Sequence, residues 1–156
     1  MSKFKIVLVA PEIPGNTGSI GRTCLALDLE LILIKPLAFD ISEKAVRRAG
    51  LDYWKHVNIK TFENFQDFLE NEKPPLDQMF FFSKTVKKTL FEAEFKKDCY
   101  LIFGSETRGL GDEIMETYSN SLVSLPMYSE HVRSLNLSNA ATAAAYEALR
   151  QIQYSK

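Results

Sequence analysis

Four short stretches of this chain are apolar without interruption: IVLVA within Phe4–Ala10, LILI at Leu31–Ile34, MFFF within Gln78–Phe82 and YLIF at Tyr100–Phe103. A strand with one wet face alternates apolar and polar residues. Runs with no alternation describe strands covered on both faces, as in a parallel sheet between helices. Segments of helical period separate them. Ile20, Cys24 and Leu27 share one face of a helix expected over Thr17 to about Leu29, with Asn16 or Thr17 as its N-cap. Ser42 opens a helix that Gly50 ends, and Asn64–Glu72 forms another before Pro74-Pro75. Asp112–Tyr118 is a short helix, and the alanine-rich end is helical over about Asn139–Gln153. Val57–Phe62 and Ser121–Leu125 supply two further short strands. Strand and helix alternate throughout, so the expected class is α/β, a mostly parallel sheet flanked by helices. With no repeat and no linker, residues 1–156 are expected to form a single domain.

The totals remove several functions. No run reaches the roughly 20 apolar residues of a membrane span, and the apolar stretch after the basic start ends at Pro11, too short for a signal peptide. Cys24 and Cys99 form no CxxC pair, and His56 and His131 have no partners at metal-ligand spacing. Neither a metal site nor a disulfide framework is expected, and the cysteines read as buried thiols of a cytoplasmic protein. A formal net charge of −1 argues against indiscriminate binding to nucleic acid. The charges are nevertheless segregated. Lys44, Arg47 and Arg48 sit at helical spacing and Lys84, Lys87, Lys88, Lys96 and Lys97 crowd one segment. These are either solvated faces or an RNA surface.

Ligands in parallel α/β sheets lie beyond the carboxyl ends of strands, which singles out three loops. The first, PEIPGNTGSIGRTC, spaces its glycines as GxxGxxG (Gly15, Gly18, Gly21). It is neither the GxGxxG of a dinucleotide site nor a P-loop, although a helix start after a strand offers N–H groups to an anion. It reads as a structural turn or as a site, and Arg22, one turn inside the helix, is placed to reach toward phosphate. The second loop, FGSETRGLG, holds Glu106 and Arg108 between glycines that suggest backbone folded round a ligand. The third carries Ser134, Asn136, Ser138 and Asn139 into the last helix. One of these caps the helix, and the remainder look like a binding site.

Together, NTGSIGRTC, LIFGSETRGL and SLNLSNAATAAAYEALR resemble the three ordered motifs of the SpoU branch of the SPOUT RNA methyltransferases, and RRAGLDYW (Arg47–Trp54) resembles the small TrmL-type subgroup within it. The match spans nearly the whole chain. The resemblance implies a 2'-O-methyltransferase acting on the wobble nucleotide in the anticodon loop of tRNA. It also implies a C-terminal trefoil knot and a homodimer, with no membrane and no metal. S-adenosyl-L-methionine is the implied cofactor, held at Phe82, Gly104, Leu125 and Ser134.

By the same resemblance Arg22, Glu106 and Asn139 are the catalytic candidates and Asn16, Asn136 and Ser138 contact the RNA, while the basic cluster adds Arg47, Arg48 and the Lys84–Lys88 segment as expected phosphate contacts. Arg22 is not a literal base, because a guanidinium stays protonated; it binds the adjacent phosphate and offsets charge on the 2'-oxygen. Asn16 and the glycines are expected to let the RNA backbone approach, and Glu106 to orient Arg22 or the loop. Ala140, Ala143 and Ala144 are expected to face a partner subunit, leaving Ala141, Ala145, Leu149 and Ile152 for the core. Two alternatives accompany this reading. The first loop is faintly similar to a flavodoxin-type phosphate loop, which would make the chain an FMN electron carrier. An RNA-binding module without catalysis is the other, and Arg22 and Asn139 speak against it.

Overall fold

A computed structural model describes residues 3–42, 44–45 and 51–155. Six strands form one sheet: β1 (Lys5–Val9), β2 (Glu30–Ile34), β3 (Asn58–Phe62), β4 (Met79–Phe82), β5 (Tyr100–Phe103) and β6 (Leu122–Val123). Their order is β3-β2-β1-β5-β4-β6, and every pairing is parallel. The uninterrupted apolar runs have the expected cause. Ile6 and Leu8 enter the core on one face of the sheet while Val7, between them, enters the core on the other.

Helix α1 (Pro14–Leu27) and helix α4 (Leu137–Leu149) cover the first face, burying Ile20, Cys24, Ala141, Ala144, Ala145 and Ala148 against β1, β2 and β5. Helix α2 (Phe65–Glu72) and helix α3 (Asp112–Thr117) cover the second. Asn64 caps α2 by accepting from the Asp67 N–H at 2.7 Å. Both cysteines are buried, and burial pushes each thiol up to about 12.

Helix α1 begins at Pro14, whose fixed φ suits a first helical position. Asn16 and Thr17 are therefore inside it and cap nothing. Helix α4 starts at Leu137, two residues before the expected point, because Asn136 accepts from the Ser138 and Asn139 N–H groups. It ends at Leu149, and residues 150–154 continue as a wider π turn. Strand β6 is shorter than Ser121–Leu125 predicts. The expected helix from Ser42 begins with Ser42 Oγ accepting from the Ala45 N–H at 3.3 Å; its remainder, with Arg47, Arg48 and Gly50, lies outside the described residues.

The alanines of α4 require a correction. Ala144 and Ala148 are fully buried within this chain alongside Ala141 and Ala145, so Ala144 cannot face a partner. Ala143 is exposed and Ala140 half-buried. Small residues here let α4 lie close to α1, where Thr23 and Thr142 share a hydrogen bond of 2.8 Å.

Two glycines of α1 are likewise spent on packing. A methyl group at Gly21 would sit 2.5 Å from Trp54 Cζ3, and one at Gly18 would sit 3.1 Å from Leu51 Cδ1, whereas Gly15 has open space around it. Gly21→Ala must displace the buried Trp54 ring, so it should lower unfolding stability by about 1–3 kcal/mol, despite the better helix propensity of alanine. Gly15→Ala should leave stability unchanged or raise it by up to about 1 kcal/mol. Urea melts of the two variants check the opposite signs.

Candidate functional site

Sheet order reverses about β1: β2 and β3 extend one way, β5, β4 and β6 the other. A crevice opens beyond the carboxyl ends at such a switch point. Here it is a cavity of about 620 Å³. The loops after β1, β4, β5 and β6 reach it together, and Phe82, Gly104, Leu125 and Ser134 all line it. Asn16, Glu106 and Asn136 line it as well. Sequence reasoning brought these seven residues from four separate loops, and the fold gathers them.

One carboxylate ties the loops. Glu106 Oε1 accepts from the Glu12 N–H at 2.8 Å, and Oε2 accepts from the Ile13 N–H at 2.9 Å and from Asn16 Nδ2 at 3.1 Å. Asn16 Oδ1 in turn accepts from Asn136 Nδ2 at 3.1 Å, and Asn136 Oδ1 holds the start of α4. The chain Glu106–Asn16–Asn136 thus joins all three glycine- and asparagine-bearing loops. Glu106 orients the loop and not Arg22. It also supplies the anion that the N–H groups beside α1 attract. The carboxylate thus stands where a flavodoxin-type loop would hold a phosphate, which speaks against that alternative.

The remaining candidates lie elsewhere. Arg22 is exposed on the outer side of α1, off the cavity wall, with its guanidinium 5.5 Å from the centre of the Tyr53 ring. Asn139 is exposed at the start of α4, and its N–H donates to Asn136 Oδ1 at 3.3 Å. The Ser138 hydroxyl donates to Asn136 Oδ1. The glycines of the first loop do not open a path for RNA at Gly18 and Gly21, since residues 51–54 already cover both. In the second loop Gly104 serves a close backbone approach: a Cβ there would lie 2.0 Å from the Gly109 carbonyl carbon, because Ser105 and Gly109 exchange two 3.0 Å backbone bonds.

Glu12 was not singled out by its sequence. Its carboxylate accepts from the Thr107 hydroxyl at 2.7 Å and the Thr107 N–H at 3.0 Å, a second clasp between the first two loops. These bonds hold the Glu12 carboxyl below the usual carboxylate range. With the partners 95 positions apart, no local pattern marks the pair. Lys84 and Arg108 also line the cavity and place positive charge there.

Among the described residues no cluster of His, Cys, Asp or Glu is arranged to hold a metal, and no helix is long and apolar enough to cross a membrane. The cavity offers apolar side walls, backbone groups and firmly clasped loops, an arrangement that binds and orients. Glu106→Gln must turn an amide N–H₂ toward other donors, so it should lower stability by about 1–3 kcal/mol. The double variant with Asn16→Ala should cost less than the sum of the singles, because both break one network. Chemical denaturation of the four proteins measures this.

Comparison with known proteins agrees with the geometry. Residues 3–146 match the SpoU rRNA methylase family. A tRNA (cytidine(34)-2'-O)-methyltransferase of Saccharophagus degradans is 42% identical over 154 residues, covering 97% of each chain. A solved structure described in terms of 2-OH methylation of C/U34 on tRNA is 44% identical, covers 95% of each chain and superposes with a TM-score of 0.85. The methyltransferase AviRb of Streptomyces viridochromogenes, solved with AdoMet, is 29% identical with a TM-score of 0.77, over 97% of this chain and 58% of its own. Sequence motifs, sheet order and strand-end cavity converge on one assignment: the chain belongs to the SpoU methylase family.

Proposed function

We propose that this protein is a tRNA 2'-O-methyltransferase that transfers the methyl group of S-adenosylmethionine to the ribose of the wobble nucleotide, cytidine or uridine 34. One observation carries the reading: Phe82, Gly104, Leu125 and Ser134, placed by motif, meet in one cavity at the sheet's switch point. Full-length similarity to the position-34 enzymes supports the substrate. The cavity suits the cofactor, with apolar side chains such as Leu125 and Met127 for its adenosine and backbone from four loops for its polar edges. S-adenosylmethionine supplies an electrophilic methyl group on a sulfonium; transfer breaks the carbon–sulfur bond, forms the oxygen–carbon bond and releases the hydroxyl proton.

The chain's contribution is positioning and charge. Glu106, Asn16 and Asn136 hold the three loops in fixed register, and Ser138 and Asn139 present the start of α4 to the ribose. Arg22 stays protonated, binds the phosphate beside the reacting nucleotide and stabilises negative charge growing on the 2'-oxygen. Gly15 and Ser19, at i−7 and i−3 from Arg22 on the same helix face, are exposed and small, which leaves a clear approach. Lys84 at the cavity, the lysines that follow it, and Arg47 and Arg48 supply contacts to the anticodon loop.

The protein works as a homodimer in the cytoplasm, as one domain with a C-terminal trefoil knot. Its interface is the face of α4 that exposes Ala143 and Tyr146 beside α1. Ala143→Arg should shift sedimentation from dimer to monomer at micromolar concentration without loss of fold; an unchanged dimer would move the interface elsewhere.

Labelled S-adenosylmethionine and total tRNA test the activity, with label expected at ribose 34. Arg22→Ala should slow single-turnover transfer by about a hundredfold or more, with cofactor affinity by calorimetry unchanged. Arg22→Lys should recover part of the loss, since a point charge cannot make the bidentate contact.

A further inference from the structure

The segment Leu51–Trp54 lies on α1 and is absorbed by none of the roles above. Tyr53 makes two contacts there, one with Gly18 and one with Arg22. Its hydroxyl donates to the Gly18 carbonyl at 2.8 Å. In an α-helix that carbonyl is the partner of the N–H four residues on, which belongs to Arg22. Its ring lies under the Arg22 guanidinium, 5.5 Å from centroid to carbon, a cation–π arrangement. A Cβ at Gly18 would press on Leu51, 3.1 Å away, and would meet the Tyr53 hydroxyl only at an ordinary 3.7 Å. Burial raises the Tyr53 hydroxyl above its usual range, against the opposing charge of Arg22, so it remains a donor at neutral pH.

What Arg22 lacks is equally informative. Among the described residues no carboxylate forms an ion pair with it. An arginine kept for structure ordinarily pairs with an acid, which would compete with any incoming phosphate. An aromatic face restrains the guanidinium and leaves its charge and its N–H edge unspent.

We infer that Tyr53 is a positioning residue for Arg22, its hydroxyl anchoring the ring on α1 and the ring holding the guanidinium oriented for the phosphate and the reacting ribose oxygen. The inference rests on the methyltransferase reading above. Removing the ring frees a long side chain to sample rotamers that miss the phosphate, so the loss falls on the transfer rate and leaves cofactor binding alone.

The test is single-turnover transfer to a tRNA transcript by wild type, Tyr53→Leu, Tyr53→Phe, Arg22→Ala and the double variant Arg22→Ala/Tyr53→Leu. Tyr53→Leu should be about tenfold slower, the scale of a cation–π contact in a partly dry site, with the Kd for S-adenosylmethionine unchanged. Tyr53→Phe, which keeps the ring, should stay within about threefold of wild type. The double variant should be no slower than Arg22→Ala alone, because the tyrosine has nothing left to position. Transfer by Tyr53→Leu at the wild-type rate, or additive losses in the double variant, would overturn the inference. Should Tyr53→Leu melt below the assay temperature, Tyr53→Met, which keeps the bulk and removes the ring, is compared in the wild-type and Arg22→Ala backgrounds: a loss confined to the first supports the inference, and equal losses in both, or no loss in either, refute it. A wild-type protein that leaves ribose 34 unlabelled defeats the methyltransferase reading itself, a result distinct from an active wild type indifferent to Tyr53.

Discussion

The Glu106 carboxylate accepts three hydrogen bonds from the turn after β1, and the architecture around the cavity follows from it. A turn leading from a strand into a helix leaves backbone N–H groups without partners. Water is one solution and a ligand another. Here an acid from the loop after β5 meets them, and the asparagine that completes its shell extends the connection to the loop before α4. The first loop is thereby anchored by the other two, and each of those is tied to it. A half-satisfied polar network of this kind is more costly than an apolar contact, which keeps its three members interdependent.

This arrangement separates two demands that a transferase must meet. The cavity floor and walls come from strand ends and clasped loops, where movement is small. Arg22, to which the proposal assigns the nucleic acid, stands outside on the exposed side of α1, over an aromatic ring and, among the described residues, in no ion pair. A formal net charge of −1 provides little bulk attraction to RNA. The proposed reading therefore places the burden on single cations such as Arg22 and the cavity-lining Lys84.

How much of this was legible in the residues varies with the range of the interaction involved. The sheet was readable because burial on both faces writes itself into consecutive positions, as with YLIF in β5. The loops that line the cavity were readable because strand ends attract ligands in this class of fold. Asn16 was misread as a cap because its true partners, Glu106 and Asn136, are 90 and 120 residues away. Gly18 and Gly21 were misread as room for RNA for the same reason: the side chains that fill the space come from residues 51–54. Ala144 was assigned to a partner subunit because helix periodicity cannot say how wide a stripe the chain's own sheet and first helix will cover.

Helix α4 lies parallel to α1, with residue 136 level with residue 16 and residue 142 level with residue 23. The contacts that close this face of the sheet thus join residues 120 and 119 positions apart. Contacts of such long sequence separation form late and slowly in folding. The strands and α1 therefore precede the cavity in folding, and the pocket exists only once α4 has docked.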